Sequence, residues 1–120
     1  MKRDMDLIRK ILFEIESEPT RSSGLSIQIP SYSDDEVMYH LVLLQEAGLI
    51  DAVTINDRSR AQVYPTRLTW EGHEFLDAAR DNTNWNKAKE VMANTGGFVF
   101  EVGKQLLIEF VRRQIFPPTP

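Results

Sequence analysis

Two stretches decide how this chain is read: Leu43-Leu44-Gln45-Glu46-Ala47-Gly48-Leu49-Ile50 and Arg67-Leu68-Thr69-Trp70-Glu71-Gly72-His73-Glu74-Phe75-Leu76. In the first, Ala47-Gly48 ends a helix, because a glycine just past the last turn can enter the left-handed region that other residues avoid. Leu49-Ile50 then turns back toward apolar surroundings. The start of the same helix is equally plain. Ser33-Asp34-Asp35-Glu36 is a capping box, in which the Ser33 hydroxyl can accept from the Glu36 amide while the Glu36 carboxylate reaches back. Acids in that first turn also suit the positive end of the helix dipole. Val37, Leu41 and Leu44 mark the buried stripe between these two ends.

Working outward, residues 51–68 read as a two-stranded ribbon. Val53 and Ile55 alternate with polar neighbours, Asn56-Asp57-Arg58-Ser59-Arg60 is a turn, and Val63 to Leu68 returns. Pro65 makes the second strand an edge or irregular strand. Thr69 can cap a helix over 70–80 whose inner face holds Gly72, Phe75, Leu76 and Ala79. Upstream, residues 4–18 form a helix with Met5, Ile8, Ile11, Leu12 and Ile15 at helical spacing. Pro19, Ser22, Ser23 and Gly24 stop it, and Leu25-Ser26-Ile27-Gln28-Ile29 alternates as a short strand ended by Pro30. Downstream, a helix over 84–94 carries Trp85, Ala88 and Met92 and ends at Gly96-Gly97, and a last helix runs over 98–114. The order (helix, short strand, helix, hairpin, helix) is that of an α+β fold with a winged helix-turn-helix-like core. A loop and strand stand where such domains commonly place a separate helix. The expected layout is a core over 1–80, a C-terminal helical extension over 81–116 packed on it, and a frayed tail, Pro117-Pro118-Thr119-Pro120.

Composition narrows the function classes. With 120 residues the chain can bury a core without staples, and its lack of cysteine removes disulfides and thiolate metal sites. Its apolar runs fall short of the roughly 18 residues that a membrane helix needs. The opening Met1-Lys2-Arg3-Asp4-Met5-Asp6 leads directly into an amphipathic pattern unlike a signal peptide, so a soluble, cytoplasmic protein is expected. No Gly-rich phosphate loop, nucleophile elbow or zinc-protease signature is present. Asp34-Asp35 sits on an exposed first turn, where nothing would raise a carboxyl pKa for acid–base work. His40 and His73, the only histidines, have no second ligand at helical spacing, and His40 is expected to pack or hydrogen-bond near the core. The expectation is a non-enzyme with no cofactor, metal or small-molecule ligand.

The segments Met1-Lys2-Arg3-Asp4-Met5-Asp6-Leu7-Ile8-Arg9-Lys10-Ile11-Leu12, Tyr39-His40-Leu41 through Ala47-Gly48-Leu49-Ile50, and Pro65-Thr66-Arg67-Leu68-Thr69-Trp70-Glu71-Gly72-His73-Glu74-Phe75-Leu76-Asp77 carry a resemblance. Together they resemble a bacterial and prophage family catalogued as a domain of unknown function. The resemblance implies a phage-associated or bacterial cytoplasmic setting and no particular activity. More distantly, Tyr39 to Ile50 is similar to the recognition-helix segment of small bacterial repressors.

Two partner classes compete: a DNA-associated regulator of prophage type, which the fold pattern puts narrowly first, and a protein-interaction module as the alternative. As a DNA-associated regulator, the chain would use the hairpin arginines Arg58 and Arg60 with Arg67, supported by Lys2, Arg3, Arg9 and Lys10 of the first helix. Against this stand a net charge of −4 and the absence of any Lys or Arg between Ser33 and Asp57, where Asp34, Asp35, Glu36, Glu46 and Asp51 are acidic. A helix entering the major groove meets two walls of phosphate, and its N-terminal residues usually face the bases. As a protein-interaction module, the chain would use Met38, Tyr39 and Val42, which fall off the buried stripe of their helix. Trp70 and Trp85 read as core or inter-helix anchors, with stacking on a partner as the alternative for Trp70. In the last helix Val99, Val102, Leu106, Phe110 and Val111 form an apolar stripe that Phe100, Leu107 and Ile108 widen beyond the roughly 100° of an ordinary surface helix. A homodimer through Phe100, Leu107, Ile108 and Val111 is therefore expected, with complete wrapping by the chain's own helices as the alternative.

Overall fold

The computed structural model describes residues 1–57, 60–94 and 96–117, an α+β arrangement. Among the described residues the elements are α1 (Met5–Ser17), α2 (Asp34–Glu46), β1 (Ile50–Asp57), β2 (Arg60–Leu68), α3 (Trp70–Ala78), α4 (Asn82–Ala93) and α5 (Phe100–Ile115). The chain divides into two compact units, Met1–His73 and Glu74–Pro120. The boundary falls inside α3.

In the first unit α1 and α2 pack on each other and on the ribbon. Met5, Ile8, Ile11, Leu12 and Ile15 are buried as their spacing predicts, and Leu7 joins them. Burying each such aliphatic side chain contributes about 1.5–3 kcal/mol. From α2 come Val37, Leu41 and Leu44, with His40 buried beside them. α2 ends in a Schellman motif. The Leu49 N–H donates to the Leu44 carbonyl at 3.0 Å and the Gly48 N–H to the Gln45 carbonyl at 3.1 Å, with Gly48 at φ +75°. Thr69 stitches this end to α3. Its N–H donates to the Leu49 carbonyl, its hydroxyl donates to the Gly48 carbonyl at 2.7 Å, and the same hydroxyl oxygen accepts from the Gly72 N–H at 3.0 Å.

β1 and β2 pair antiparallel from Ile50↔Leu68 to Asp57↔Arg60. The ladder therefore includes Asn56, Asp57 and Arg60, which the sequence pattern assigned to the turn. Between Asp51↔Arg67 and Ala52↔Pro65 the register shifts by one residue, which leaves Thr66 as the extra residue of a bulge. The irregularity expected around Pro65 is real.

The strand expected at Leu25–Ile29 does not form. The Leu25 N–H donates to the Pro65 carbonyl at 2.7 Å, but Pro65 has no N–H with which to return the bond, so a reciprocal bridge cannot close.

In the second unit, Asp81 caps α4 through the Asn84 N–H, so the helix starts at Asn82, two residues upstream of the expected start. Trp85 is buried, edge-on to Phe75 at 6.3 Å between ring centres, and Phe100 lies over Phe75 at 5.0 Å. α5 begins at Phe100 instead of 98, and its inward face is not the expected one. Gly103 and Leu107 are buried while Val99 and Val102 are exposed. The cause is Phe98, whose ring tucks against Gly103 so closely that a Cβ there would come within 2.2 Å of the ring. Pro117 of the tail is exposed, and residues 118–120 lie outside the described residues.

Candidate functional site

The capping box at α2 is made in full. The Glu36 N–H donates to Ser33 Oγ and the Ser33 N–H donates to Glu36 Oε1, each at 3.1 Å. Its geometry leaves Asp34 and Asp35 exposed on the first turn, and Met38, Tyr39 and Val42 follow along the same side of the helix. Arg60, Ala61 and Gln62 of β2 form the opposite wall of a groove of about 540 Å³, which Met1 also lines. Met38 and Val42 are half-buried and Tyr39 is 37% exposed, its ring edge-on to His40 at 5.5 Å. The three residues that sequence periodicity set aside as a partner surface thus share one groove.

Among the described residues, the candidate phosphate contacts are held by carboxylates. Arg60 Nη1 lies 3.3 Å from Asp35 Oδ1, and Arg67 Nη2 lies 2.6 Å from Asp51 Oδ2 while its Nη1 donates to the Leu68 carbonyl. Both pairs are solvent-exposed and contribute only about 0–1 kcal/mol each. Their importance is electrostatic: each guanidinium carries a carboxylate beside it. Arg58 lies outside the described residues. Nothing in the sequence announces the Arg60–Asp35 pair, since it joins positions on separate elements.

A thioether contact beside the groove ties α2 to β2. The Val63 N–H donates to Met38 Sδ at 3.2 Å. Below the groove, the Asp4 N–H donates to His40 Nε2 at 2.8 Å, and His40 Nδ1 lies 2.7 Å from the Glu36 carbonyl. With Nε2 accepting, the proton belongs on Nδ1, and His40 is a neutral structural link between α1 and α2. It packs and hydrogen-bonds as expected. Among the described residues no group of three or more His, Asp or Glu side chains could hold a metal ion, and no helix is long and apolar enough to cross a membrane.

The residues expected at a dimer surface on α5 separate. Leu107 is fully buried within the chain and is not available to a partner, and Phe100 is engaged with Phe75. Val111 is half-buried, and Ile108 is 41% exposed. Ile115 and Phe116, beyond the helix end that the sequence pattern predicts, are more exposed still. Trp85 is a core anchor, but Trp70 is not: it is 75% exposed. Gly72 holds the inward side of α3 against Leu49, and two residues earlier the helix presents its other side.

A protein of Haemophilus influenzae named "Uncharacterized protein" is 42% identical over 90 residues, which cover 74% of this chain and 76% of that protein. No solved structure matches the chain. A family model described as "Hypothetical protein (DUF2513)" matches residues 2–98, so α5 lies beyond the matched segment. The chain belongs to the DUF2513 family.

Proposed function

We propose that this chain is a non-catalytic protein-interaction module, built on a winged-helix-like frame and binding its partner in the groove between α2 and β2. The observation that carries the reading is the pairing of Arg60 with Asp35, both of which line an apolar groove, together with the pairing of Arg67 with Asp51 elsewhere on the hairpin. Duplex affinity comes largely from cations that neutralise phosphates and release counterions. Here a duplex would have to compete with two carboxylates for those guanidinium groups. It would also bring phosphates toward Asp34, Asp35 and Glu36 at the start of α2. Met38, Tyr39 and Val42 instead offer a thioether, an aromatic ring and a branched aliphatic side chain to an apolar partner.

The second reading is a DNA-associated transcriptional regulator of prophage type. It is favoured by the succession of α2 and the β1–β2 hairpin, and by Lys2 and Arg3, which are exposed ahead of α1. Fluorescence anisotropy of a labelled mixed-sequence duplex separates the two. Under the interaction-module reading, anisotropy stays flat on titration with the full chain even at low salt. Binding that weakens steeply with salt and disappears in the Arg58→Ala, Arg60→Ala double variant would replace it with the DNA reading.

A further inference from the structure

The groove has a directional feature that apolar lining alone does not supply. In an antiparallel pair, successive residues of a strand point their N–H and C=O groups alternately toward and away from the partner strand. The Pro65 carbonyl accepts from Leu25 and the Val63 N–H donates to Met38, so residues 65 and 63 of β2 point away from β1. Ala61 has the same parity. Its N–H and C=O therefore face outward, at an exposed position that lines the groove. The Val63 N–H is held by a thioether, a weak acceptor on a flexible side chain that a carbonyl oxygen could displace.

We propose that the Ala61–Val63 edge of β2 binds an extended peptide segment of a protein partner, which adds as a further strand. The proposal rests on the interaction-module reading and specifies how that groove is used. Main-chain bonds to Ala61 and Val63 supply affinity, and alternate side chains of the peptide meet Met38, Tyr39 and Val42. Asp34 has no ion-pair partner among the described residues, and no Lys or Arg lies between Ser33 and Asp57, so a basic residue in the peptide complements that end. The volume of about 540 Å³ is that of a site for a short segment. A second copy docked about a two-fold axis would bring its own α2, with Asp34 and Asp35, into the same space.

The test is selection of a displayed library of short random peptides on the full chain, followed by synthesis of the enriched peptide with N-methyl groups at alternate positions. The enriched peptide is expected to alternate apolar and polar residues beside a lysine or arginine. Methylation at one parity should abolish binding and at the other leave it intact. Ala61→Pro, which removes one outward N–H as Pro65 already does nearby, should weaken binding by about tenfold. Backbone amide exchange on the unmodified chain gives a second readout that needs no variant: Ala61 and Val63 should become protected on peptide addition. Equal tolerance of methylation at both parities, or unchanged exchange at Ala61, overturns strand addition. If Tyr39→Glu still blocks the peptide in that case, the groove reading survives without it. Failure to enrich any peptide overturns both. Self-association of the chain that Ala61→Pro abolishes would make the occupant a second copy and overturn the proposal.

Discussion

Asp4 ties three segments of the first unit together. Its carboxylate caps α1 through the N–H groups of Asp6 and Leu7 and accepts from the Tyr32 hydroxyl, while its own N–H donates to buried His40. His40→Ala would leave that N–H without its acceptor and open a cavity, so a loss of about 2–4 kcal/mol is expected in urea unfolding. His40→Gln, which keeps an acceptor, should lose less. Equal unfolding midpoints for His40→Ala and the unmodified chain would remove His40 from the framework. The Tyr32 pKa is raised, by burial first and then by the Asp4 carboxylate that its hydroxyl meets. The neutral phenol is the form the fold favours, so its contribution is fully present below the ordinary tyrosine value of 10.0 and is lost as pH rises through the higher folded value. Alkaline titration should show a late-ionising tyrosine, and Tyr32→Phe should remove that late phase. A late phase that survives the substitution would assign it elsewhere. Only the place of His40 near the core is legible in the sequence; its partners are not, because they are backbone amides and a carboxylate brought together by the packing of α1 on α2.

At the scale of elements, the sequence was most informative where backbone rules dominate. The capping box at Ser33, the left-handed Gly48 and the Thr69 cap all appear where residue type dictates them. It was least informative where packing chooses among apolar residues. Hydropathy placed Val99 and Val102 on the buried stripe of α5, but the residue that sets the inward face is Gly103, which has no side chain to count. The Leu25–Ile29 alternation failed for a related reason: a period of two records which side a residue faces, not whether a neighbouring strand has an N–H to offer. The two close glycine contacts within helices should rank by what opposes them. A Cβ on Gly72 would come within 2.0 Å of the Leu49 carbonyl oxygen, a backbone atom already fixed by the Thr69 N–H. Gly72→Ala is therefore expected to cost about 2–3 kcal/mol. Gly103→Ala meets a Phe98 ring, which can rotate aside, so thermal unfolding should show a smaller loss. The reverse order would mean that the α2–α3 joint is more compliant than its hydrogen bonds imply.

For the whole molecule, the decisive quantities are how charge is distributed and how much apolar surface is left uncovered. A net charge of −4 keeps copies apart at long range, yet Ile108, Ile115 and Phe116 remain exposed near the end of α5. Ile108 and Ile115 are seven positions apart and so share a side of the helix, with half-buried Val111 between them. Self-association through this strip is the form in which the expected homodimer can still exist, now that Leu107 belongs to the core. Its strength is limited by size. A helix of 16 residues is about 24 Å long, so one strip offers a few hundred Å² per copy, below the roughly 800 Å² per partner of a standard interface. The expected dimer is accordingly weak, dissociating in the micromolar range or above. Sedimentation velocity across a concentration series should show a monomer that shifts toward dimer only at the upper end. The Ile108→Glu, Ile115→Glu double variant should remain monomeric throughout with unchanged helical circular dichroism, because neither side chain belongs to the buried face. A monomer at every concentration would mean that α5 keeps this strip in water. A tight dimer untouched by the double variant would locate the contact on another surface, and Trp70, the most exposed of the large hydrophobic side chains, would be the next to substitute.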